Sequence, residues 1–333
     1  MFKTQYHGYT PMRIDKFLAE FLRDVSRQQI QFLIKDKLVF KNSNIVSKPK
    51  ELIYLGDIIE VNTPKIKQPS INIDASLKQD LAKQVQVVLE HPDFLIINKP
   101  AGLLMHKTNN PNSYSLVDIL ILQYPEIKQA VDIDQNSEEI LQKRYGIVHR
   151  IDKDTSGLVI VARNKNALIN LKKLFKDRQI YKEYICLVRG IIKNDYGNIT
   201  YPIIRSKLEH TKRVAVISDR QSSIKQRTAH SEYWVLEKYK DSTLLKVVIH
   251  TGRTHQIRVH MQAIGHPIIG DKLYGGKLEK KDKNSLNRQF LHASKLEFEY
   301  LGRKYEFSSK SPNDLTAYKS TKMELSTIQT IDT

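Results

Sequence analysis

The stretch HRIDKDTSGLVIVA, His149 to Ala162, passes from a charge-dense turn straight into an apolar strand. Asp152, Asp154, Thr155, Ser156 and Gly157 are all residues that favour turns, and LVIVA has the composition of a strand. The turn has two readings on local chemistry. In one, Arg150 and Lys153 keep a neighbouring aspartate ionised, and a carboxylate in a basic cleft attacks an electron-poor carbon or steadies a developing cation. In the other, the acidic and hydroxyl residues only shape the turn and the basic ones are their salt-bridge partners. Local chemistry alone favours the second reading.

Outward from this stretch, the runs VQVVLE, FLIINK, YKEYICLV, HSEYWVL and LLKVVIH read as further strands between residues 85 and 250. A helix is predicted from an Asn164 cap, with Leu168, Leu171, Leu174 and Phe175 on one face. The class is therefore α+β, with a mostly β body over residues 85–320. Ahead of it, residues 12–62 form a smaller unit. Ile14, Phe17, Leu18, Phe21 and Leu22 have helical spacing, and Ser26 with Gln29 makes a capping box for a second helix that carries Ile30, Leu33 and Ile34. Leu38 to Phe40, the turn Asn42-Ser43-Asn44, and Ile45-Val46 read as a tight hairpin, and Gly56-Asp57 leads into a closing strand to Val61. Residues 63–83, polar and containing Pro64 and Pro69, read as a linker, and residues 321–333 as a frayed tail.

The 54 Lys and Arg against 36 Asp and Glu leave a formal charge of +18 on 333 residues. A field of that sign draws polyanions, nucleic acid first among them. Residues 1–62 carry only +3 of it, ten basic against seven acidic. No apolar run is long enough to cross a bilayer, and the opening residues lack a signal core, so the expected location is the cytoplasm. Cys186 is the single cysteine, which excludes an internal disulfide or a thiolate metal cluster and fits a reducing compartment. The chain has no GxxxxGK[ST] loop, no GxGxxG after a strand and no GxSxG elbow, so nucleotide-dependent and serine-hydrolase chemistries fall away. His250, His255 and His260 invite a zinc reading. If IHTGRTHQIRVHM is a strand, however, a spacing of five sends consecutive histidines to opposite faces, and no shared metal is expected.

Five segments change the reading of Asp152: NKPAGLLMH (Asn98 to His106), HRIDKDTSGL (His149 to Leu158), KEYICLVRG (Lys182 to Gly190), TGRTHQIRVH (Thr251 to His260) and GHPIIGDKLYG (Gly265 to Gly275). Their content and order are similar to the motif series of the RluA-type pseudouridine synthases, over about residues 85 to 315. LNRQFLHA, Leu286 to Ala293, leans toward the RluC-like members. Ile151 and Val159 stand where leucines are more usual. RIDKFLAEFL, SRQQIQFLIKDKLVF and YLGDIIEV, in order, resemble the S4 RNA-binding module. The family resemblance implies a catalytic domain on a mixed, largely antiparallel sheet, with Asp152 as nucleophile and Asp154 as a structural neighbour. It implies that Arg150 enters the RNA stack when the target uridine is flipped out, and that Tyr184 packs on the base with a hydroxyl able to assist proton transfer at C5. Arg258 then pairs with the nucleophile, with Arg253 a weaker candidate, and Lys99 shapes the cleft. The S4 resemblance makes Arg13, Lys16, Arg27 and Lys35 candidate phosphate contacts. The implied reaction detaches the base at N1 and rejoins it through C5, on large-subunit ribosomal RNA, in a monomer needing no metal, nucleotide or redox cofactor. Two other readings are a non-catalytic RNA-binding or ribosome-assembly protein that keeps the fold, and an RNA methyltransferase carrying an S4-like module. The intact Asp152, Arg150, Tyr184 and Arg258 set weighs against the first and the missing glycine-rich cofactor loop against the second.

Overall fold

Ile14 and Leu18 come to one buried helix face, α1 (Ile14–Phe21), and meet Ile30, Leu33 and Ile34 of α2 (Arg27–Lys35). The computed structural model describes residues 2–22, 27–62, 85–106, 114–131, 145–206, 208–209, 211–217, 226–276 and 286–328. It divides into two units, each taken by itself. In the first, strands β1 (Phe2–Gln5), β3 (Val39–Lys41), β4 (Asn44–Ile45) and β6 (Ile58–Val61) form a sheet in the order β1-β6-β3-β4. β2 (Met12–Arg13) and β5 (Leu52–Ile53) pair separately. Val39, Ile59 and Val61 close the helices' apolar face. Lys41 pairs with Asn44 in the hairpin, and Asn42 and Ser43 between them both have positive φ, 49° and 65°. That is the two-residue turn whose twist matches the flanking strands. β1 pairs along β6, so this unit starts ahead of the expected residue 12. The predicted Ser26 cap and the linker at 63–83 lie outside the described residues.

The second unit is built on one nine-stranded sheet. Its strands are β7 (Gln86–Glu90), β8 (Phe94–Lys99), β9 (Ser156–Ala162), β10 (Tyr181–Arg189), β11 (Tyr196–Ile199), β14 (Ser231–Lys238), β15 (Ser242–Ile249), β16 (Leu291–Tyr300) and β17 (Arg303–Ser308). They lie in the order β11-β14-β15-β10-β16-β9-β8-β7, with β17 also on β16. β12 (Ile203–Arg205) and β13 (Arg213–Ala215) make a separate hairpin. β16 and β9 run parallel where His292 faces Ser156, while the other named pairs of this sheet are antiparallel, as expected.

Both faces of the central strands are covered, which is why β9 is buried along its whole length. Val159 and Val161 face one core with α3 (Leu116–Gln123) and Met261, whereas Leu158 and Ile160 face the other with Leu168 and Leu171 of α4 (Lys165–Lys176). Asn164 caps α4 as predicted, its Oδ1 accepting the Ala167 N–H at 2.9 Å.

Two expectations need correction. HQIRVHM is not a strand: Gln256–Ala263 form helix α5. Ile257, Val259 and Met261 alternate with polar residues as in a strand, but Gln256, Arg258 and His260 are buried too, each with polar partners, so alternation does not report a solvent face here. The frayed tail is the second. Helix α6 (Asn313–Ile328) runs through residues 321 to 328, and Lys319 and Lys322 pair with Glu237 and Asp241.

Candidate active site

Asp152 sits in the turn that feeds β9, and the neighbours of that turn hold its backbone from several sides. The Lys99 ammonium is completely buried and donates to the carbonyls of Pro100 (2.8 Å), Leu103 (2.8 Å) and Lys153 (2.9 Å). Three N–H groups meeting three carbonyls fix NKPAG against the residue after Asp152. Burial pulls this ammonium down to about 7, against the opposing pull of Asp154 and Asp152. Arg288 donates to the Asp154 carbonyl at 3.2 Å, and Gln289 to the Thr155 hydroxyl at 3.2 Å. LNRQFLHA therefore holds the turn that carries Asp152. At Gly157 φ is +117°, and a Cβ would lie 2.2 Å from the Ala293 carbonyl oxygen, so only glycine lets β9 come this close to β16. Upstream, His149 Nε2 accepts the Ile160 N–H at 2.9 Å while its ring stacks on Phe175 at 4.5 Å. Burial first, and Lys182 second, push this imidazole down to about 3.

Asp152 is 17% exposed, and Arg258 Nη1 donates to its Oδ2 at 2.9 Å. The same guanidinium donates through Nε and Nη2 to both oxygens of Asp271, at 2.7 and 2.9 Å. Asp271 is wholly buried and also accepts the N–H groups of Leu273 and Tyr274, which locks the GDKLYG turn. Arg258 thus bridges two carboxylates. Burial alone would weaken its hold on the proton, but Asp271 and Asp152 outweigh that and push its pKa up. The charge partner of Asp152 is therefore Arg258, not Arg150 or Lys153 as local spacing implied.

Tyr184 lies on β10, buried, in the same cleft; burial first, then the Asp152 charge, push its hydroxyl pKa up. Tyr181, three residues earlier on the same strand, donates to Glu183. Arg150 is exposed at the cleft rim. Arg253 also lines the cleft, but its Nε donates to the Thr228 carbonyl at 2.9 Å. By sequence His255 entered only as a member of a rejected metal set, not as a neighbour of Asp152. It holds αL backbone, φ 60°, at the start of α5, and places Nε2 3.9 Å from Asp152 Oδ1 and Nδ1 2.9 Å from the Tyr274 hydroxyl.

In the N-terminal unit, Arg13 forms a two-point pair with buried Asp15 (2.6 and 3.0 Å), whereas Lys16 and Lys35 are exposed. The Arg27 side chain lies outside the described residues. His250, His255 and His260 do not gather: His255 faces Asp152, while His260 bonds Ser231 and the Tyr201 carbonyl. His230, Glu232 and His250 do approach, their ligand atoms within 4.8 Å of one another. The two rings stack at 4.2 Å and 24°, so their nitrogen lone pairs run side by side rather than toward one point, and Glu232 is engaged by Tyr196 and His250.

Comparison with known proteins places the chain in a family. A family model described as RNA pseudouridylate synthase matches residues 93–263, a span that includes Asp152, Tyr184 and Arg258. An uncharacterized RNA pseudouridine synthase of Aquifex aeolicus is 35% identical over 83% of this chain and 80% of its own length. The ribosomal large subunit pseudouridine synthase D of Yersinia pestis is 34% identical over 91% of this chain and 88% of its own. Among solved structures, human RNA pseudouridylate synthase domain containing 1 matches with a TM-score of 0.55 at 26% identity, over 69% of this chain and 85% of that one.

Proposed function

The chain belongs to the RNA pseudouridine synthase family and is an isomerase, and from that premise we propose that it converts specific uridines of large-subunit ribosomal RNA to pseudouridine, with Asp152 as nucleophile. The ribosomal target rests on relatives named for that subunit, such as the Yersinia pestis enzyme, and on the +18 charge. That relative carries the synthase D name, which lends no support to the RluC-like leaning of LNRQFLHA.

The observation that carries the role of Asp152 is its 2.9 Å bond to Arg258, backed by buried Asp271, in a cleft shared with Tyr184. The guanidinium keeps the carboxylate charged and aimed. Asp152 forms the transient bond to the nucleoside while N1 leaves C1′. Arg150, unburied at the rim, fills the gap left by the flipped base, since a guanidinium plane both stacks and binds phosphate. Tyr184 packs on the base as a neutral phenol. The N-terminal helices, S4-like in sequence pattern, present Lys16 and Lys35 to RNA phosphates; Arg13 is already paired, and Arg27 completes the set. In this reading the protein acts as a cytoplasmic monomer without a cofactor.

Asp152→Asn tests the assignment. It keeps size and leaves Arg258 paired with Asp271, so folding and RNA affinity should persist while turnover falls by about 10⁴-fold or more. Loss of RNA binding instead would make Asp152 structural. Carbodiimide mapping of ribosomal RNA from a deletion strain tests the substrate: an unchanged pseudouridine profile would refute it.

A further inference from the structure

Isomerisation has a requirement beyond the nucleophilic attack. Forming C5–C1′ leaves a hydrogen on C5 that must depart as a proton, while N1, freed from the sugar, must gain one. A base has to face the ring at that stage. Among the side chains lining the cleft, Arg150, Arg253 and Arg258 are cations with no lone pair to offer, and Tyr184 is a buried phenol whose ionisation burial and Asp152 oppose. His255 has the right chemistry.

We propose that His255 removes the C5 proton. This rests on the isomerase reading and extends it. Three independent features place the imidazole for the task. Its Nε2 lies 3.9 Å from Asp152 Oδ1, one nucleobase edge away from the atom that holds the nucleoside. Its other nitrogen is 2.9 Å from the Tyr274 hydroxyl, whose oxygen accepts the Arg213 backbone N–H at 2.9 Å; we assign the tautomer in which Nδ1–H donates to that same oxygen, which leaves the Nε2 lone pair free toward the cleft. The residue is also held with φ at 60°, a conformation costly to most side chains, at the helix start that delivers Arg258 one turn later. The charged and titratable groups around it are Asp152, Arg258, Arg213, Asp271 and Tyr274. Burial outweighs Asp152, and with Arg258 and Arg213 it holds the ring below the ordinary histidine range, hence neutral near pH 7.

The charges balance through the step. While Asp152 is bonded to the nucleoside it carries no charge to draw a proton onto Nε2. When C5–C1′ has formed and the carboxylate is free again, the C5–H bond breaks toward Nε2, its electron pair restores the C5–C6 double bond, and the imidazolium forms 3.9 Å from the restored carboxylate. The imidazolium passes its proton to water, and N1 takes one from water. No oxidant or co-reactant enters.

The test is single-turnover release of tritium from ribosomal RNA labelled at uridine C5 with ³H, alongside substrate labelled with ²H. His255→Asn retains a residue that tolerates the left-handed backbone. Release should slow by about 10²- to 10⁴-fold with RNA binding retained, and a deuterium effect near unity in the native enzyme should become large. His255→Gly, which accepts the same backbone, should regain rate with added imidazole; this second arm stands even where the asparagine variant folds poorly. Unchanged release, or slower release with no isotope effect and no imidazole rescue, would overturn the role of His255. Native enzyme that releases no tritium from any ribosomal RNA would instead overturn the isomerase reading.

Discussion

Replacing Asp271 with asparagine probes the ion-pair bridge from the side away from the nucleophile. In the native protein, Asp271 accepts two bonds from Arg258 and two backbone N–H groups, and it is fully buried. Asparagine keeps one oxygen for Nη2, Leu273 and Tyr274. Its amide nitrogen, however, replaces the oxygen that meets Arg258 Nε at 2.7 Å, setting donor against donor. Breaking a buried pair by removing one partner costs about 3–5 kcal/mol, and a lost bond to a charged group about 1.5–3 kcal/mol. Because Asp152 still faces Arg258, the lower part of that range applies, about 3 kcal/mol. At about 2–4 °C per kcal/mol for a domain of this size, Tm should fall by about 6–12 °C. A guanidinium that tilts also loosens Asp152, so kcat should fall by about 10²-fold. RNA affinity should barely move, since neither Asp271 nor Arg258 is exposed. Calorimetry, single-turnover kinetics and a binding titration read the three quantities separately. An Asp271→Asn enzyme that melts within about 1 °C of the native one and keeps its kcat would refute the bridge as the support of Asp152.

Gly157→Ala puts a methyl 2.2 Å from the Ala293 carbonyl at positive φ and should destabilise by about 3 kcal/mol or more, read as a fall in Tm. Arg150→Ala, at an exposed position, should leave Tm within about 1 °C, yet slow base flipping and reduce the salt slope of RNA binding by about one; a normal single-turnover rate would contradict it. His149 is held neutral, at about 3 in the fold against an ordinary 6.5, so the unfolded chain binds the extra proton below 6.5. Its stabilising effect is complete above that pH and drains as pH falls toward 3, by about 1.4 kcal/mol per unit. Urea unfolding at pH 7.5 and 5.0 should show a smaller loss for His149→Gln than for the native protein.

The strands and the Asn164 helix were legible because their signals are local: apolar runs, a cap, and turn residues between them. Asp152, Tyr184 and Arg258 could be named through the motif series, and they do meet in one cleft. α5 was illegible, since burial on every side erased the polar face that marks a helix. The places of Asp271 and His255 beside Asp152 were hidden for a different reason. Asp271 stood inside a quoted motif, but its meaning depends on Arg258, thirteen residues away and brought back by a turn. His255 depends on Asp152 and Tyr274, and nothing in a single histidine announces such partners.

The parallel pairing of β9 with β16 sets a temporal order on the molecule. Ser156 and Gly157 are laid against His292 and Ala293, more than 130 residues later, and Arg288 ties the Asp154 carbonyl to a helix that begins at Asn313. Loop closure over such separations is the slow, entropy-limited part of folding. A nascent chain that has released residues 85 to 280 carries every side chain assigned to the chemistry, yet lacks the strand that fixes the turn holding Asp152. Asp152 is synthesised well before the strand that fixes its turn.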